Sequence, residues 1–318
     1  MSDSTRTLRV QQKSWEAEGV TAITLVDPTG ADLPGWEPGA HLALRLPNGM
    51  VREYSLCSDP DDRRRWTVAV LRKPDSRGGS SHIHDALPVG ALLEVDGPRN
   101  AFALEDAAAQ HILVAGGIGI TPIIAMVRRL EQQQRAWHLL YTGRSRSTMA
   151  FLDEIAGLPA DRVTVHADDE ADGRYPDIAG LLAELPPTGL VYCCGPEPLM
   201  DACGAALADP SRLRLERFKA PEPVARTTPD DEFDVVISST GQRVRVDAAT
   251  SVLDALTDAG IPLASSCTEG ICGTCEVAVV KGDLDHRDFV LSSAEQESGT
   301  TMLPCVSRCR SAELVLDL

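Results

Sequence analysis

Cys267-Thr268-Glu269-Gly270-Ile271-Cys272-Gly273-Thr274-Cys275 is followed thirty residues later by Cys305. Gaps of four and then two residues, with a distant fourth cysteine, form the plant-type [2Fe–2S] spacing. Four thiolates must converge on such a cluster, so the loop has to wrap around it. Gly270 and Gly273 remove Cβ atoms where the backbone turns inward. A zinc site is the plainer alternative, but structural zinc usually pairs two short Cys hooks and only one is present. Cys309, four residues after Cys305, competes for the place of fourth ligand. Cys57, Cys193 and Cys203 read as small buried apolar residues. Nine cysteines, an odd number, argue against a disulfide framework and for metal or redox chemistry.

Working outward, the loop is preceded by a predicted hairpin, 233–238 and 243–246, turning at Thr240-Gly241. A predicted helix over 252–259 follows, opened by Ser251 with Asp254 three residues on, a capping-box pattern. A last strand ends at Leu318. Residues 220–231 are proline-rich and read as a linker. Upstream, strands predicted at 111–115, 137–141, 162–166 and 189–193 alternate with helical stretches such as 122–134, the pattern of a parallel doubly wound sheet. Nearer the N-terminus, alternating segments at 20–26, 41–46 and 66–71 are separated by Pro-Gly and Asn-Gly turns, which points to a small antiparallel barrel. The expected division is 1–105, 106–222, a linker at 223–231, and 232–318.

The chain has 318 residues, 43% hydrophobic and 24% charged, with a net charge of −17. That length implies more than one core. The negative charge disfavours nucleic-acid binding, which depends on basic contacts to phosphate. Residues 231–318 carry 15 Asp and Glu against 6 Lys and Arg. This either serves solubility or steers a basic partner. No apolar run is long enough for a membrane span and no signal-peptide stretch opens the chain, so a cytoplasmic location is expected.

Three further motifs suit anionic or aromatic ligands. Arg52-Glu53-Tyr54-Ser55 ends a β segment with a guanidinium fork, an aromatic face and a hydroxyl; taken alone it could equally be a surface strand. Arg77-Gly78-Gly79-Ser80 exposes backbone N–H groups as an anion nest, or is a plain surface loop. Ala115-Gly116-Gly117-Ile118-Gly119-Ile120-Thr121-Pro122 joins a buried strand to a helix. Its glycines allow close approach of a pyrophosphate to the helix N-terminus. It is not the Gly-x-Gly-x-x-Gly dinucleotide pattern.

The order of parts, the cysteine spacing, Val279-Val280-Lys281-Gly282-Asp283-Leu284-Asp285-His286-Arg287-Asp288 and the tail Ser311–Leu318 resemble the phthalate dioxygenase reductase family over nearly the whole chain. The resemblance implies an antiparallel β-barrel flavin domain, an α/β parallel-sheet nucleotide domain and a β-grasp ferredoxin domain. It implies cluster ligands Cys267, Cys272, Cys275 and Cys305, the Cys305-Val306-Ser307-Arg308 context favouring Cys305 over Cys309. It places FMN against Arg52, Tyr54 and Ser55, beside Ala69-Val70-Leu71, with its phosphate on Arg77, Gly78, Gly79 and Ser80. The nucleotide would meet Gly116, Gly117, Gly119, Thr121 and Pro122, with Thr121 also touching the flavin. Tyr192-Cys193-Cys194-Gly195-Pro196 is similar to the family's Cys-Gly-Pro motif. That likeness puts Cys194, Gly195 and Pro196 by the nicotinamide, Cys194 near the hydride path as a wall residue with no proton chemistry asked of it. Phe218 would pack near the flavin.

The implied activity is an NADH-dependent oxidoreductase that moves hydride to FMN and single electrons to the cluster. Its implied partner is the terminal Rieske-type oxygenase of a two-component system. Arg144 and Arg146 leave NADPH open, since an arginine after the second strand can hold a 2′-phosphate. Alternatives are a reductase for a haem monooxygenase or another acceptor, and a non-enzymatic ferredoxin-type carrier or redox sensor.

Overall fold

Alternation of inward apolar and outward polar residues builds the first sheet, as in Leu8 and Val10 of β1, both fully buried. Its strands are β1 (Arg6–Ala17), β2 (Val20–Val26), β3 (Ala40–Arg45), β4 (Val51–Ser55), β5 (Trp66–Leu71) and β6 (Leu92–Asn100). They pair antiparallel in the order β4-β3-β6-β1-β2-β5. A bridge between Leu56 and Val68 joins the two edges, so the sheet curls into a barrel. A short helix, α1 (Gly79–Asp85), lies between β5 and β6. The computed structural model describes residues 5–74, 78–105, 107–184, 189–221 and 231–318. Arg77 and residues 222–230 of the proline-rich stretch therefore lie outside the described residues.

The second sheet alternates with helices: β7 (His111–Gly116), α2 (Ile120–Gln132), β8 (Trp137–Gly143), α3 (Leu152–Ile155), β9 (Val163–Ala167), α4 (Ile178–Ala183), β10 (Leu190–Cys194), α5 (Glu197–Ala206) and β11 (Leu213–Glu216). All strand pairs are parallel, in the order β11-β10-β7-β8-β9. The chain winds from β7 towards β9 and returns to the other side of β7 with β10. That reversal opens a crevice at the carboxyl ends of β7 and β10. Helix α2 starts two residues before the expected Pro122. Its residues Ile120–Val127 are all buried, because it is covered by the parallel sheet and also touches the barrel core through Ala125. Arg128 of α2 clamps the Glu154 carboxylate at 2.6 Å and donates to the Cys57 carbonyl.

Both sheets belong to one unit, Met1–Glu216; the second unit is Arg217–Leu318. It contains β12 (Phe233–Ile237), β13 (Arg243–Val246), α6 (Val252–Asp258), β14 (Val277–Lys281), β15 (Leu284–Asp285), α7 (Ser293–Ser298), β16 (Thr301–Met302), β17 (Arg308–Cys309) and β18 (Glu313–Leu316). The main sheet runs β13-β12-β18-β14-β16, with β12 and β18 parallel and the other neighbours antiparallel. Val252, Ala255 and Leu256 of α6 press into its apolar face, the β-grasp arrangement. At the start of α6, Ser251 Oγ accepts from Asp254 N–H, but the Asp254 carboxylate takes the Ser251 hydroxyl and not the cap's backbone N–H. Aspartate is one methylene too short for the reciprocal bond. The full capping box is at Ser292 and Glu295, opening α7. No helix among the described residues is long and apolar enough to cross a membrane.

Candidate functional site

In the first unit the two strand-end motifs meet at the crevice. A Cβ on Gly119 would collide with the Cys194 carbonyl, and one on Gly116 would lie 2.6 Å from Pro196 Cδ. Glycine is therefore required for β7 and β10 to deliver their C-terminal turns side by side. Thr121 is buried and donates to the Ile118 carbonyl at 3.0 Å, tying the turn to the first residues of α2. Gly117, Pro122, Gly195 and Pro196 complete the lip. Beyond β8, Arg146 is held by Glu170 at 2.7 Å, while Arg144 is exposed.

The barrel brings the flavin candidates together. A Cβ on Gly79 would strike Arg52 Nε at 2.7 Å, so the arginine lies directly on the Gly78-Gly79 turn. Among the described residues Arg52 forms no ion pair. Its guanidinium donates to the Val51 carbonyl at 2.7 Å and reaches Met50 Sδ at 3.5 Å. A fork left without a carboxylate beside a glycine turn at φ +108° suits a phosphate. Ser80 is buried and accepts from Lys73 N–H at 3.2 Å. Burial pushes the Tyr54 phenol up to about 12, so the ring stays neutral. In β5, Ala69 and Val70 are buried and Leu71 is half-buried.

A third group was not legible in the sequence. Glu216, the last residue of β11, accepts from Ser55 Oγ at 3.3 Å and from Cys194 Sγ at 3.8 Å. Burial pushes its carboxyl up to about 8, the two hydrogen bonds opposing that rise. Burial, with Glu216 beside it, also pushes the Cys194 thiol well up, so it remains a protonated donor and no nucleophile. The barrel, the crevice and the last strand of the parallel sheet thus converge on one polar trio. His41 faces Ser55 across β3 and β4, and burial lowers its pKa.

In the second unit, Cys267 and Cys272 bring their sulfurs within 4.8 Å of each other. Cys275 and Cys305 hydrogen-bond through their side chains, which lowers the first thiol and raises the second. Both pack with Leu253, Leu291 and Leu303 in one apolar cluster. Gly270, at φ +71°, would drive a Cβ to 2.6 Å from Val306 Cγ2, so the loop closes on the Cys305 segment only with glycine there. The Glu269 N–H points at Cys267 Sγ at 3.3 Å. Paired soft donors and an inward N–H are the chemistry an iron–sulfur cluster needs. Cys309 sits apart, in the core under α6, with its sulfur 3.0 Å from Ser311 Oγ. Phe218 is 41% exposed at the start of this unit.

Comparison with known proteins agrees with this division. Residues 235–310 match the model of the 2Fe-2S iron-sulfur cluster binding domain, and residues 113–204 that of the oxidoreductase NAD-binding domain. The chain is 44% identical to the phenoxybenzoate dioxygenase subunit beta of Ectopseudomonas oleovorans, over 98% of this chain and 97% of that one. It is 40% identical to the phthalate dioxygenase reductase of Burkholderia cepacia, over 98% and 97%. A solved phthalate dioxygenase reductase structure superposes with a TM-score of 0.71 at 38% identity, covering 99% of this chain and 98% of that one. An intact type IV self-sufficient cytochrome P450 monooxygenase superposes with a TM-score of 0.91 at 42% identity; the chain covers 41% of its length. The chain belongs to the phthalate dioxygenase reductase family, as an NADH-dependent oxidoreductase whose cofactors are FMN and a [2Fe–2S] cluster.

Proposed function

We propose that the protein is the cytoplasmic reductase component of an oxygenase system and delivers electrons to a terminal Rieske-type oxygenase. The observation that carries this reading is the end-to-end similarity to proteins named as reductases or subunits of dioxygenase and monooxygenase systems. We assign the flavin barrel to residues 1–105, the nucleotide domain to 106–222, the linker to 223–231 and the ferredoxin domain to 232–318.

FMN, when bound, supplies the conversion of a hydride's electron pair into single electrons, and the cluster carries them one at a time. The chain's own residues bind and orient. Arg52 with Gly78, Gly79 and Ser80, joined by Arg77, hold the flavin phosphate, while Tyr54, Ser55 and the Ala69–Leu71 strand border the ring. Gly116, Gly117, Gly119, Thr121 and Pro122 cradle the dinucleotide, and Cys194, Gly195 and Pro196 wall the nicotinamide. Cys267, Cys272, Cys275 and Cys305 hold the irons.

The likeness to part of a self-sufficient cytochrome P450 monooxygenase favours one other reading, a haem monooxygenase as acceptor. The purified protein with NADH should bleach the flavin and reduce cytochrome c. Adding a Rieske oxygenase or, separately, a cytochrome P450 then decides the partner. The reading expects NADH-dependent hydroxylation or demethylation only with the first. Turnover with the P450 alone would overturn the Rieske assignment.

A further inference from the structure

We propose that Asp288 is a positioning residue for the iron–sulfur site, whose buried carboxylate both locks the segment facing the cysteine loop and holds the cluster's reduction potential down. The inference rests on Cys267, Cys272, Cys275 and Cys305 being the ligands.

The Asp288 side chain is fully buried. Its Oδ2 accepts from Leu291 N–H at 2.8 Å and Val290 N–H at 3.3 Å, and its Oδ1 accepts from Ser307 Oγ at 3.3 Å. Ser307 Oγ in turn accepts from Arg287 N–H at 3.1 Å. The first two bonds fold residues 288–291 into a tight Asx-type turn. That turn sends Val290 and Leu291 into the apolar cluster containing Cys275 and Cys305. The third bond ties the turn to Ser307, two residues past Cys305 and just before β17. The next residue, Phe289, donates its N–H to the Gly270 carbonyl at 2.9 Å, and the Asp288 Cα lies 3.3 Å from where a Gly270 Cβ would sit. The Asp288 carboxylate thus ties its turn to the segment of the distant fourth cysteine, while the backbone of Asp288 and Phe289 meets the cysteine loop at Gly270.

A buried carboxylate without a cation needs compensation. Among the described residues no arginine or lysine pairs with Asp288. Arg287 is engaged with Asp285 at 2.6 Å, and Arg308 donates to the carbonyls of Thr250, Asp231 and Asp247. The His286 Nδ1 stands 3.4 Å from Oδ1. Two backbone N–H groups and one hydroxyl donate to the carboxylate, with the His286 imidazole as its neighbour, so no arginine or lysine among the described residues neutralises it. A formal negative charge in a poorly screened interior disfavours adding an electron nearby, which keeps the reduced cluster a strong donor to an acceptor.

The experiment is spectroelectrochemical titration of the intact holoprotein, with electron paramagnetic resonance of the reduced cluster. Asp288→Asn preserves shape and the acceptor for the turn but removes charge, and should raise the midpoint potential while the cluster signal persists. Ser307→Ala removes one compensating donor and should shift the potential the other way. That downward shift should vanish in the Asp288→Asn background. A merely structural role would change cluster content without opposite shifts. If Asp288→Asn does not load the cluster, Ser307→Ala still decides: a loaded cluster with unchanged potential overturns the proposal, as does an unchanged potential in a loaded Asp288→Asn. Cys305→Ala serves as the control for the ligand set, since a native cluster signal in that variant would refute the ligands themselves whatever Asp288 does.

Discussion

At the crevice of the first unit, Gly116–Gly119 and Cys194–Pro196 arrive on strands that only the parallel sheet makes neighbours. In the second unit, three of the four cysteines arrive within nine residues of one loop. The first site is therefore a product of backbone packing, where a single methyl group matters. The second is a product of donor chemistry, where a single sulfur matters. The two should fail in different ways, and four substitutions test that contrast.

Cys272→Ala should have the largest effect. Loss of one sulfur should abolish the cluster absorbance and cytochrome c reduction, while NADH still bleaches the flavin at close to its normal rate. Cys309→Ala, altering a core thiol away from the other four, should retain the cluster. Iron and sulfide analysis with stopped-flow absorbance checks both, and equal loss of flavin reduction in Cys272→Ala would erase the contrast.

Gly119→Ala sharpens it from the other side. The added methyl would meet the Cys194 carbonyl, so one of the two turns must move. A displacement near 1 Å at a reacting centre costs roughly 100-fold in rate. NADH-driven flavin reduction should fall by about that factor in kcat/KM, with cluster content and flavin content unchanged.

Glu216→Gln should have the smallest effect on assembly and a characteristic pH signature. The native carboxyl, raised to about 8, stays protonated while an unfolded glutamate ionises near 4.5. Between those values the folded state binds the extra proton. Stability from this group is therefore present at low pH and declines as pH rises towards 8. Urea unfolding of the wild type should lose stability from pH 5.5 to 8, on the order of a few kcal/mol. The glutamine variant should lack that component, and identical slopes would show that Glu216 is not held neutral.

What could be read beforehand followed from range. The Cys267–Cys275 spacing, the Gly116–Gly119 turn between strand and helix, and the hairpin at 233–246 are local patterns, each complete within about a dozen residues. The capping box at Ser292 and Glu295 was equally local and carried the Ser-x-x-Glu signal that identifies it. Glu216 was different, because its partners Ser55 and Cys194 lie 161 and 22 positions away. Its identity as a glutamate at a strand end gives no hint of burial. Asp288 and Ser307, 19 positions apart, are likewise a pair only in three dimensions.

By itself the amino-acid order determined which segments alternate as strands and helices, where the chain must turn on glycine, and which thiols could gather around iron. Those properties come from near-neighbour sterics and side-chain chemistry, which act over a few residues. Tertiary structure alone decided that the reversal of strand order at β7 brings the two glycine turns together and that Glu216 is buried against Ser55 and Cys194. Such outcomes depend on which surfaces exclude water when distant segments pack, and no local pattern encodes that.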